Sequence, residues 1–591
     1  MKHSIVPFTL ACIVAIVHFG TERALAKMSI VDSPHNLSAS GGKGKHAIAF
    51  TSEERVCVFC HAPHNTKPAL PLWNREIPSE ATPYKMYGSS TFNALVTSKA
   101  DRPSGSSRLC LSCHDGTIAL NSYGGAPSAG APVYMPSDVD PTANPNLTSD
   151  LSNSHPISFA YSADLTVRAD LKNPATLPPQ VKLEQGSLLQ CTSCHDPHNN
   201  EFGNFLVIDN KLPGSPLCVA CHTNTGWSTS SHNPAVVSSM GPACMTCHFA
   251  HSAPAPQRLL HAKKEVDNCV TNLCHSSGGT PLSANVQPAF NQNYRHPVSF
   301  YTGVHDENET LPAQQTHVEC VDCHNPHQAN RVGAPLSLPP AIDGPLKGVN
   351  GIDKDTLSAV VASNEYEICF KCHSGGNAPN FCSITETPPN RMLPEPDQNR
   401  RFDRYRTSSF HPVTNQRLGT GASLWSNVQT SMLMIYCSDC HNSDQGTKAG
   451  GVGPNGPHGS QYEHILLARY EMPQMPPLVF SAVPDFINRY ALCFTCHSDS
   501  FVMGTGSAFV NSGSSEHTSH VQNRGIHCFA CHDPHGVPAR GASFTNGTHL
   551  VNFAKAWTVS AAVPSPAYNP DTRSCTVSCH TTSDHTHTYA R

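Results

Sequence analysis

The chain reads CTSCH from Cys191 to His195 and CVACH from Cys218 to His222. Each stretch places two cysteines three positions apart and a histidine directly after the second cysteine. Ten stretches of the sequence have this C-x-x-C-H spacing, and two more have a wider gap between the cysteines. In chain order, motifs 1 to 12 are Cys57-Cys60-His61, Cys110-Cys113-His114, Cys191-Cys194-His195, Cys218-Cys221-His222, Cys244-Cys247-His248, Cys269-Cys274-His275, Cys320-Cys323-His324, Cys369-Cys372-His373, Cys437-Cys440-His441, Cys493-Cys496-His497, Cys528-Cys531-His532 and Cys575-Cys579-His580.

This motif is typical of covalent haem attachment. The two thiols form thioether bonds to the porphyrin vinyl groups, and the following histidine is the proximal iron ligand. Structural zinc sites need four ligands, and a disulfide framework places no histidines at fixed offsets. Of the 26 cysteines, 24 lie inside the twelve motifs, and only Cys12 and Cys382 lie outside them. The sequence therefore predicts twelve haem c groups.

The N-terminus predicts export. Lys2 precedes an apolar stretch from Ile5 to Phe19, and an A-x-A cleavage site ends at Ala26. Residues 1–26 are interpreted as a signal peptide. The stretch is too short for a membrane anchor, and no later segment is apolar enough to span a bilayer. We expect a location outside the cytoplasm, with the outer surface preferred to the periplasm.

The composition predicts a chain with little regular structure. The sequence has 50 prolines and 39 glycines, and only 14% of its residues are charged. Proline and glycine are unfavourable inside long helices and strands. We expect mostly irregular coil with short helices and a few short strands, organised around a chain of haems that supply the apolar core. Phe205–Asn210 and Pro477–Val483 are predicted strands, and Lys354–Asn364 is a predicted short helix.

The motifs form six pairs. The first motif of a pair continues as C-H-x-x-H, as in CHDPH from Cys194 to His198, whereas the second continues with small polar residues. The fifth pair departs from this rule, because Cys440 begins CHNSD. A repeating dihaem unit is predicted. We expect residues 27–280 to hold haems 1–6 and residues 281–591 to hold haems 7–12, with a soft boundary.

Twelve further histidines are candidates for the distal iron ligand. The C-H-x-x-H histidine lies too close to its own motif to bind the same iron, so it is expected to bind a neighbouring haem. Histidines followed by proline stand upstream of several first motifs, and the extended backbone before proline projects the ring outward. The predicted distal ligands are His46, His64, His155, His198, His232, His251, His296, His327, His411, His464, His520 and His535, with His458 as the alternative to His464.

The remaining histidines are interpreted as surface or hydrogen-bonding residues. Four histidines lie near the chain ends and could bind a haem of another copy: His35, His46, His585 and His587. Methionine could replace histidine at individual irons, but no methionine stands in register with the motifs. Cys382 is interpreted as a buried thiol.

Several strings resemble the doubled-CXXCH multihaem cytochromes of bacteria that respire metals or exchange electrons with solids. They include EERVCVFCHAPHN from Glu53 to Asn65 and LLQCTSCHDPHNNEFGNFL from Leu188 to Leu206. The resemblance implies bis-histidine haems stacked in a chain and little regular secondary structure. Some relatives are outer-surface cytochromes that polymerise into filaments, whereas others are periplasmic carriers or plug outer-membrane porins.

The leading functional hypothesis is electron transfer rather than catalysis. No catalytic residue is predicted. The expected partners are redox donor and acceptor proteins or an extracellular solid, with a head-to-tail homopolymer as an option. The nearly balanced formal charge of −5 gives no nucleic-acid footprint. The alternatives are a periplasmic electron carrier, a scaffold cytochrome, and a multihaem reductase of a small nitrogen or sulfur oxyanion. Such a reductase would keep an open iron position.

Overall fold

A computed structural model gives the fold. It describes residues 29–42, 48–64, 72–79, 81–89, 92, 101–124, 130–167, 170–233, 243–271, 274–277, 284–299, 318–331, 337–342, 344–374, 391–417, 419–473, 475–477, 479–507, 509–538, 548–560, 563–577 and 586–588. The described residues are mostly coil and turns, joined by short helices and short antiparallel strands. The predicted fold class is therefore confirmed. No described helix is long and apolar enough to cross a membrane.

The longest helices of the described chain carry the second motif of a pair. Helix α1 holds motif 2, and helix α6 holds motif 8. At the start of α6, the side chains of Asn364 and Glu367 each bond to the other's backbone N–H, which satisfies donors that the first turn leaves open. The helix bounds are α1 Gly105–His114, α2 Cys191–Cys194, α3 Pro216–Val219, α4 Gln287–Phe290, α5 Cys320–Cys323, α6 Glu365–His373, α7 Gln398–Phe402, α8 Ser426–Ser431, α9 Phe486–Arg489, α10 Ala491–Phe494, α11 Asp499–Met503, α12 Cys528–Cys531 and α13 Lys555–Thr558.

Other motifs sit on single turns. Helices α2, α5 and α12 run from the first to the second cysteine of motifs 3, 7 and 11. In all three, the histidine that follows has an extended backbone, so the helix ends at the second cysteine. One turn is enough to bring two cysteines of C-x-x-C spacing to one side of the chain.

The strands form small, separate sheets. Their bounds are β1 Phe159–Ala160, β2 Leu188–Leu189, β3 Tyr294–Arg295, β4 Asn350–Ile352, β5 Ala359–Val361, β6 Thr407–Ser409, β7 Gly459–Ser460, β8 Val510–Asn511, β9 Ser514–Ser515, β10 Val537–Pro538, β11 Ala567–Asn569, β12 Ser574–Thr576 and β13 Thr586–Thr588. All pairings are antiparallel: β1 with β2, β3 with β7, β4 with β5, β6 with β10, β8 with β9, and β11, β12 and β13 in one sheet. The pairs β3–β7 and β6–β10 connect segments that are distant in sequence.

The apolar side chains form several small clusters. One contains Phe159, Tyr161 and Leu189, and another contains Ile352, Tyr366 and Phe370. Each cluster lies beside motif cysteines, such as Cys221 in the first cluster. This distribution agrees with a fold in which bound groups, rather than side chains alone, supply the apolar interior.

The three local predictions of secondary structure are wrong. Lys354–Asn364 contains a turn and strand β5 instead of a helix. Phe205–Asn210 forms turns with one bridge at Leu206, because Asn204 and Phe205 both adopt left-handed backbone angles that a strand excludes. The described residues of Pro477–Val483 are irregular.

Candidate haem-binding centre

Five of the six first-motif histidines are anchored by a backbone carbonyl, and one of them, His324, bonds to that of Pro345 at 3.1 Å. His195 Nδ1 lies 2.7 Å from the carbonyl oxygen of Asn204, and Nδ1 of His248, His441 and His532 is held in the same way. A bond at Nδ1 fixes the tautomer and leaves Nε2 free to bind a metal. The accepting residues are Asn204, Arg258, His464 and His549, at 2.7, 2.8, 2.8 and 3.0 Å respectively.

The anchoring loop has a repeated backbone conformation. Asn204 and Phe205 have φ values of 48° and 56°, and the same two-residue left-handed turn occurs at three further loops. The next residue, Leu206, then bridges back to His195. The further turns are Arg258–Leu259, His464–Ile465 and His549–Leu550. His464 and His549 act in this turn through their backbone carbonyls. A count of histidines in the sequence could not show this role.

Second-motif histidines are also held at Nδ1. His114 bonds to the carbonyl of Pro145 at 2.7 Å, and His275 of the stretched motif 6 bonds to that of Ala284 at 3.1 Å. His497 is the exception, because its partner is the hydroxyl of Ser423 at 3.0 Å. The wider cysteine spacing of motif 6 therefore leaves its histidine anchored like the others.

Motif histidines face other histidine rings across a constant gap. The ring centroids of His61 and His198 are 6.1 Å apart, and those of His195 and His251 are also 6.1 Å apart. Ten such pairs span 5.8 to 6.3 Å: His61–His198, His114–His35, His195–His251, His222–His155, His248–His327, His275–His232, His324–His458, His441–His535, His497–His411 and His532–His517. His373 interacts electrostatically with His296.

This gap fits a metal ion between the rings. A histidine nitrogen lies about 2 Å from a metal such as zinc, so two imidazoles on opposite sides of one metal have centroids about 6 Å apart. One cavity of about 3180 Å³ runs beside cysteines of the first six motifs and contains His61, His114, His195 and His222 in its lining. Thiols, paired imidazoles and a large cavity are the features that haem c requires.

Facing rings of first motifs come from the next pair. His198 of pair 2 faces His61 of pair 1, and His251 of pair 3 faces His195 of pair 2. His327 and His535 continue this register. In the fifth pair the facing ring is His458, which follows Pro457 as His327 follows Pro326. The loop from Asn442 to Gly456 is inserted between motif 9 and this Pro-His sequence, and its ends meet where Ser443 N–H donates to Gly456.

Facing rings of second motifs are held against the same Pro-His sequences. His232 faces His275, and its Nδ1 lies 2.9 Å from the carbonyl of Pro326, the residue before His327. His35, His296 and His411 bond in the same way to Pro197, Pro457 and Pro534. One Pro-His dipeptide thus positions two rings, one through its side chain and one through its carbonyl.

Burial keeps several of the facing rings neutral. Desolvation, with help from nearby histidines, lowers the pKa of His251 to about 3 and that of His458 to about 3. The same cause lowers the pKa of His35 and of His327 to about 4. Neutral imidazole is the form that binds a metal, so these rings are prepared for ligation across the physiological pH range.

The cysteines show that neighbouring motifs meet in chain order. Within a pair the second cysteines interact, as Cys60 and Cys113 do. Between pairs the first cysteines interact, as in the hydrogen bond between Cys110 and Cys191. The within-pair interactions are Cys60–Cys113, Cys194–Cys221, Cys247–Cys274 and Cys440–Cys496, and the between-pair interactions are Cys110–Cys191, Cys218–Cys244, Cys269–Cys320, Cys369–Cys437 and Cys493–Cys528. In pair 4, motif 8 meets motif 7 where Lys371 donates to the carbonyl of Asp322. Motifs 1 to 11 therefore form one file with two alternating kinds of junction.

Seven of the predicted distal histidines face a motif histidine: His155, His198, His232, His251, His327, His411 and His535. An eighth, His296, interacts electrostatically with His373. The other four are placed differently. His64 is exposed, the carbonyl of His464 anchors His441, and His520 Nδ1 bonds to Glu516. His46 and the motif residues Cys579 and His580 lie outside the described residues, as does Cys382.

Two rings that face motif histidines were not among the predicted distal ligands, His35 and His517, and a third, His458, was predicted only as the alternative to His464. The proline before His458 was the available signal for this ligand, because a proline also directly precedes His198, His327 and His535. His35 faces His114 within this chain, which gives it a local partner.

Comparison with known proteins agrees with this arrangement. Residues 184–226, which contain motifs 3 and 4, match the family defined by the doubled CXXCH motif. No curated protein matches the sequence. The match and the site together support the class of multihaem c-type cytochromes, and the motifs indicate covalently bound haem c. Such cytochromes act in electron transfer.

Proposed function

We propose that the protein is a dodecahaem cytochrome that carries electrons along a single file of bis-histidine haems. The observation that carries this proposal is the order of the interactions between motifs, in which each motif from 1 to 10 lies beside the next one along the chain. Haem supplies a reversible one-electron iron couple. The chain supplies its ligands, its spacing and its shielding from water.

The ligand set follows the facing rings. We assign the motif histidines as proximal ligands and the opposed rings as distal ligands, with His35, His458 and His517 replacing His46, His464 and His520 of the sequence prediction. Two ligands on each iron of motifs 1 to 11 leave no position there for a substrate. This favours outer-sphere electron transfer over the reductase alternative, which needs an open iron.

We further propose export and an extracellular electron acceptor. The support is the signal-like N-terminus and the chemistry of haem c, which is attached outside the cytoplasm in bacteria. A periplasmic carrier is the alternative. Proteolysis of intact producing cells distinguishes the two, because a surface protein is cleaved without permeabilising the outer membrane, whereas a periplasmic carrier stays intact until it is permeabilised.

Assembly into a head-to-tail filament is also proposed. His64 ends the C-H-x-x-H sequence of the first pair, and its counterparts in later pairs each face a histidine of the preceding pair. The exposed ring of His64 is suited to the same role toward another copy.

Haem content and spin state test the main proposal. The pyridine haemochrome assay should give twelve haems per chain, and electron paramagnetic resonance should show only low-spin ferric haem. Neither nitrite, hydroxylamine nor tetrathionate should be reduced at an enzymatic rate. A stoichiometric high-spin haem, together with turnover of one of these substrates, would establish the reductase instead.

A further inference from the structure

Arg75 is a fully buried cation in the first haem pair. Only 1% of its surface is exposed. Its guanidinium donates to the carbonyls of Leu120 and Ala119 at 2.7 Å each and to that of Ser112 at 3.3 Å. These bonds fix the guanidinium in one position, so its charge acts on its surroundings from a constant distance.

That position lies between motif 1 and motif 2. The neighbouring residue Asn74 donates its N–H to the carbonyl of Cys60 at 2.9 Å, and Ser112 directly precedes Cys113. The charge of Arg75 acts on both Cys60 and Cys113. Arg75 is therefore at the junction where the second cysteines of the first pair meet.

Among the described residues, a carboxylate offsets the charge of Arg75 at motif 2 but not at motif 1. Among the described residues, no carboxylate lies within ion-pair distance of the guanidinium, and its buried Nε has no partner. Asp115, a buried carboxylate, acts on Cys113 and His114 of motif 2 and accepts a 2.6 Å hydrogen bond from Tyr84. Motif 2 thus has a nearby anion as well as the cation, whereas Cys60 of motif 1 interacts with Arg75 alone among the charged side chains of the described residues.

Four later first motifs have no cation at this position. In four later pairs, the residue that donates to the carbonyl of the second cysteine, as Asn74 does, is Val207, His261, Leu467 or Asn552. The residue after each of these corresponds to Arg75. These residues are Ile208, Ala262, Ala468 and Phe553, and all are uncharged.

We propose that Arg75 raises the reduction potential of haem 1, and that Asp115 offsets this effect at haem 2. Reduction adds one electron to a ferric iron and lowers the charge of the site by one, so a fixed cation in a low-dielectric interior favours the reduced state. The propionates of haem occupy the edge opposite the vinyl groups, so a guanidinium beside the cysteines is not placed to neutralise them. The proposal rests on the proposed haem loading.

Within the first pair, an electron then prefers haem 1 to haem 2. A difference in reduction potential between haems 1 and 2 directs electrons along the file, because electrons that reach the first pair accumulate on haem 1. Arg75 acts on the reduction potential of the iron through the electric field of its charge. This role requires no contact with a substrate.

A redox titration with four variants tests the proposal. In Arg75→Gln, one one-electron component of the spectroelectrochemical titration should move to lower potential, whereas Arg75→Lys should keep it. Asp115→Asn should move one component upward. Arg108→Gln is the matched control, because this half-buried arginine on helix α1 is screened by water and its loss should shift the titration less than Arg75→Gln does.

The outcome is read against the haem count. Twelve low-spin haems in every variant leave the proposed function intact whatever the potentials are. Equal shifts in Arg75→Gln and Arg75→Lys, or no shift in Arg75→Gln, overturn the role of the charge. If Arg75→Gln loses haem, Asp115→Asn decides, since a titration without an upward shift in that variant contradicts the electrostatic proposal.

Discussion

His198 lies opposite His61, with ring centroids 6.1 Å apart, although His198 follows the histidine of its own motif by only three positions. The partner belongs to the preceding pair. The ring that faces one motif histidine is therefore carried by the chain segment of another motif.

Replacement of His198 should affect haem 1 and leave haem 3 unchanged. In His198→Ala, the iron at His61 loses its sixth ligand, while the iron at His195 keeps His251. We expect one of twelve haems to become high-spin, measured by electron paramagnetic resonance and by magnetic circular dichroism. Loss of the sixth ligand at His195 would contradict the register.

His64→Ala is a matched variant for His198→Ala, because both histidines end a C-H-x-x-H sequence. If His64 binds a haem of another copy, its loss should abolish filaments seen by electron microscopy. All twelve haems should remain attached. Filaments of normal length in this variant would rule out His64 as the contact.

His458 and His464 should differ sharply on substitution. His458→Ala should convert haem 7 to the high-spin state, because its ring faces His324 at 6.1 Å. His464→Ala should leave every haem low-spin, since the contact from His464 to His441 is made by its carbonyl. The same spectra check both variants, and a high-spin haem in His464→Ala would restore it as a ligand.

The left-handed turn at Asn204 should tolerate glycine and reject valine. Asn204 has φ of 48° and an exposed side chain, so Asn204→Gly should keep or raise the melting temperature. Asn204→Val should destabilise the protein by about 1–2 kcal/mol, because a β-branched residue is unfavourable in this conformation. Thermal unfolding followed at the Soret band measures both. Equal stability of the two variants would show that the turn relaxes.

Asp533 should be essential for stability. It is buried between Arg401, to which it is paired, and Arg391, whose Nε lies 3.9 Å from Oδ2. Asp533→Ala leaves two buried cations unbalanced and should cost about 3–5 kcal/mol. Asp150→Ala, which removes a half-exposed partner of Lys85, is the control and should cost less than about 1 kcal/mol. Similar melting temperatures for both variants would contradict the role of burial.

Much of the centre could be predicted from the sequence because haem attachment is local. Cys191, Cys194 and His195 lie on one turn, and the Pro-His dipeptides occur in register with the pairs. The roles of His458 and His517 could not be predicted as firmly. Their rings reach His324 and His532 from other parts of the chain, and such contacts depend on the path of the loops.

The local secondary structure was harder to predict than the ligands. Phe205 and Val207 suggested a strand, but the carbonyl of Asn204 must turn inward to accept a hydrogen bond from Nδ1 of His195. The requirement of the histidine overrides the β propensity of its neighbours. The fold class followed from composition, because proline and glycine content limits regular structure along the whole chain.

The supply of a facing histidine by one pair to the preceding pair has a consequence for biosynthesis. His248 lies before residue 280, and the ring that faces it, His327, lies beyond that position. A fragment that ends at residue 280 contains the cysteines of haem 5 but lacks its distal ligand. We expect the first haem of each of pairs 1 to 5 to become six-coordinate only after the following segment has been exported and folded. Haems 2, 4, 6 and 10 do not wait, because their facing rings precede them in the chain.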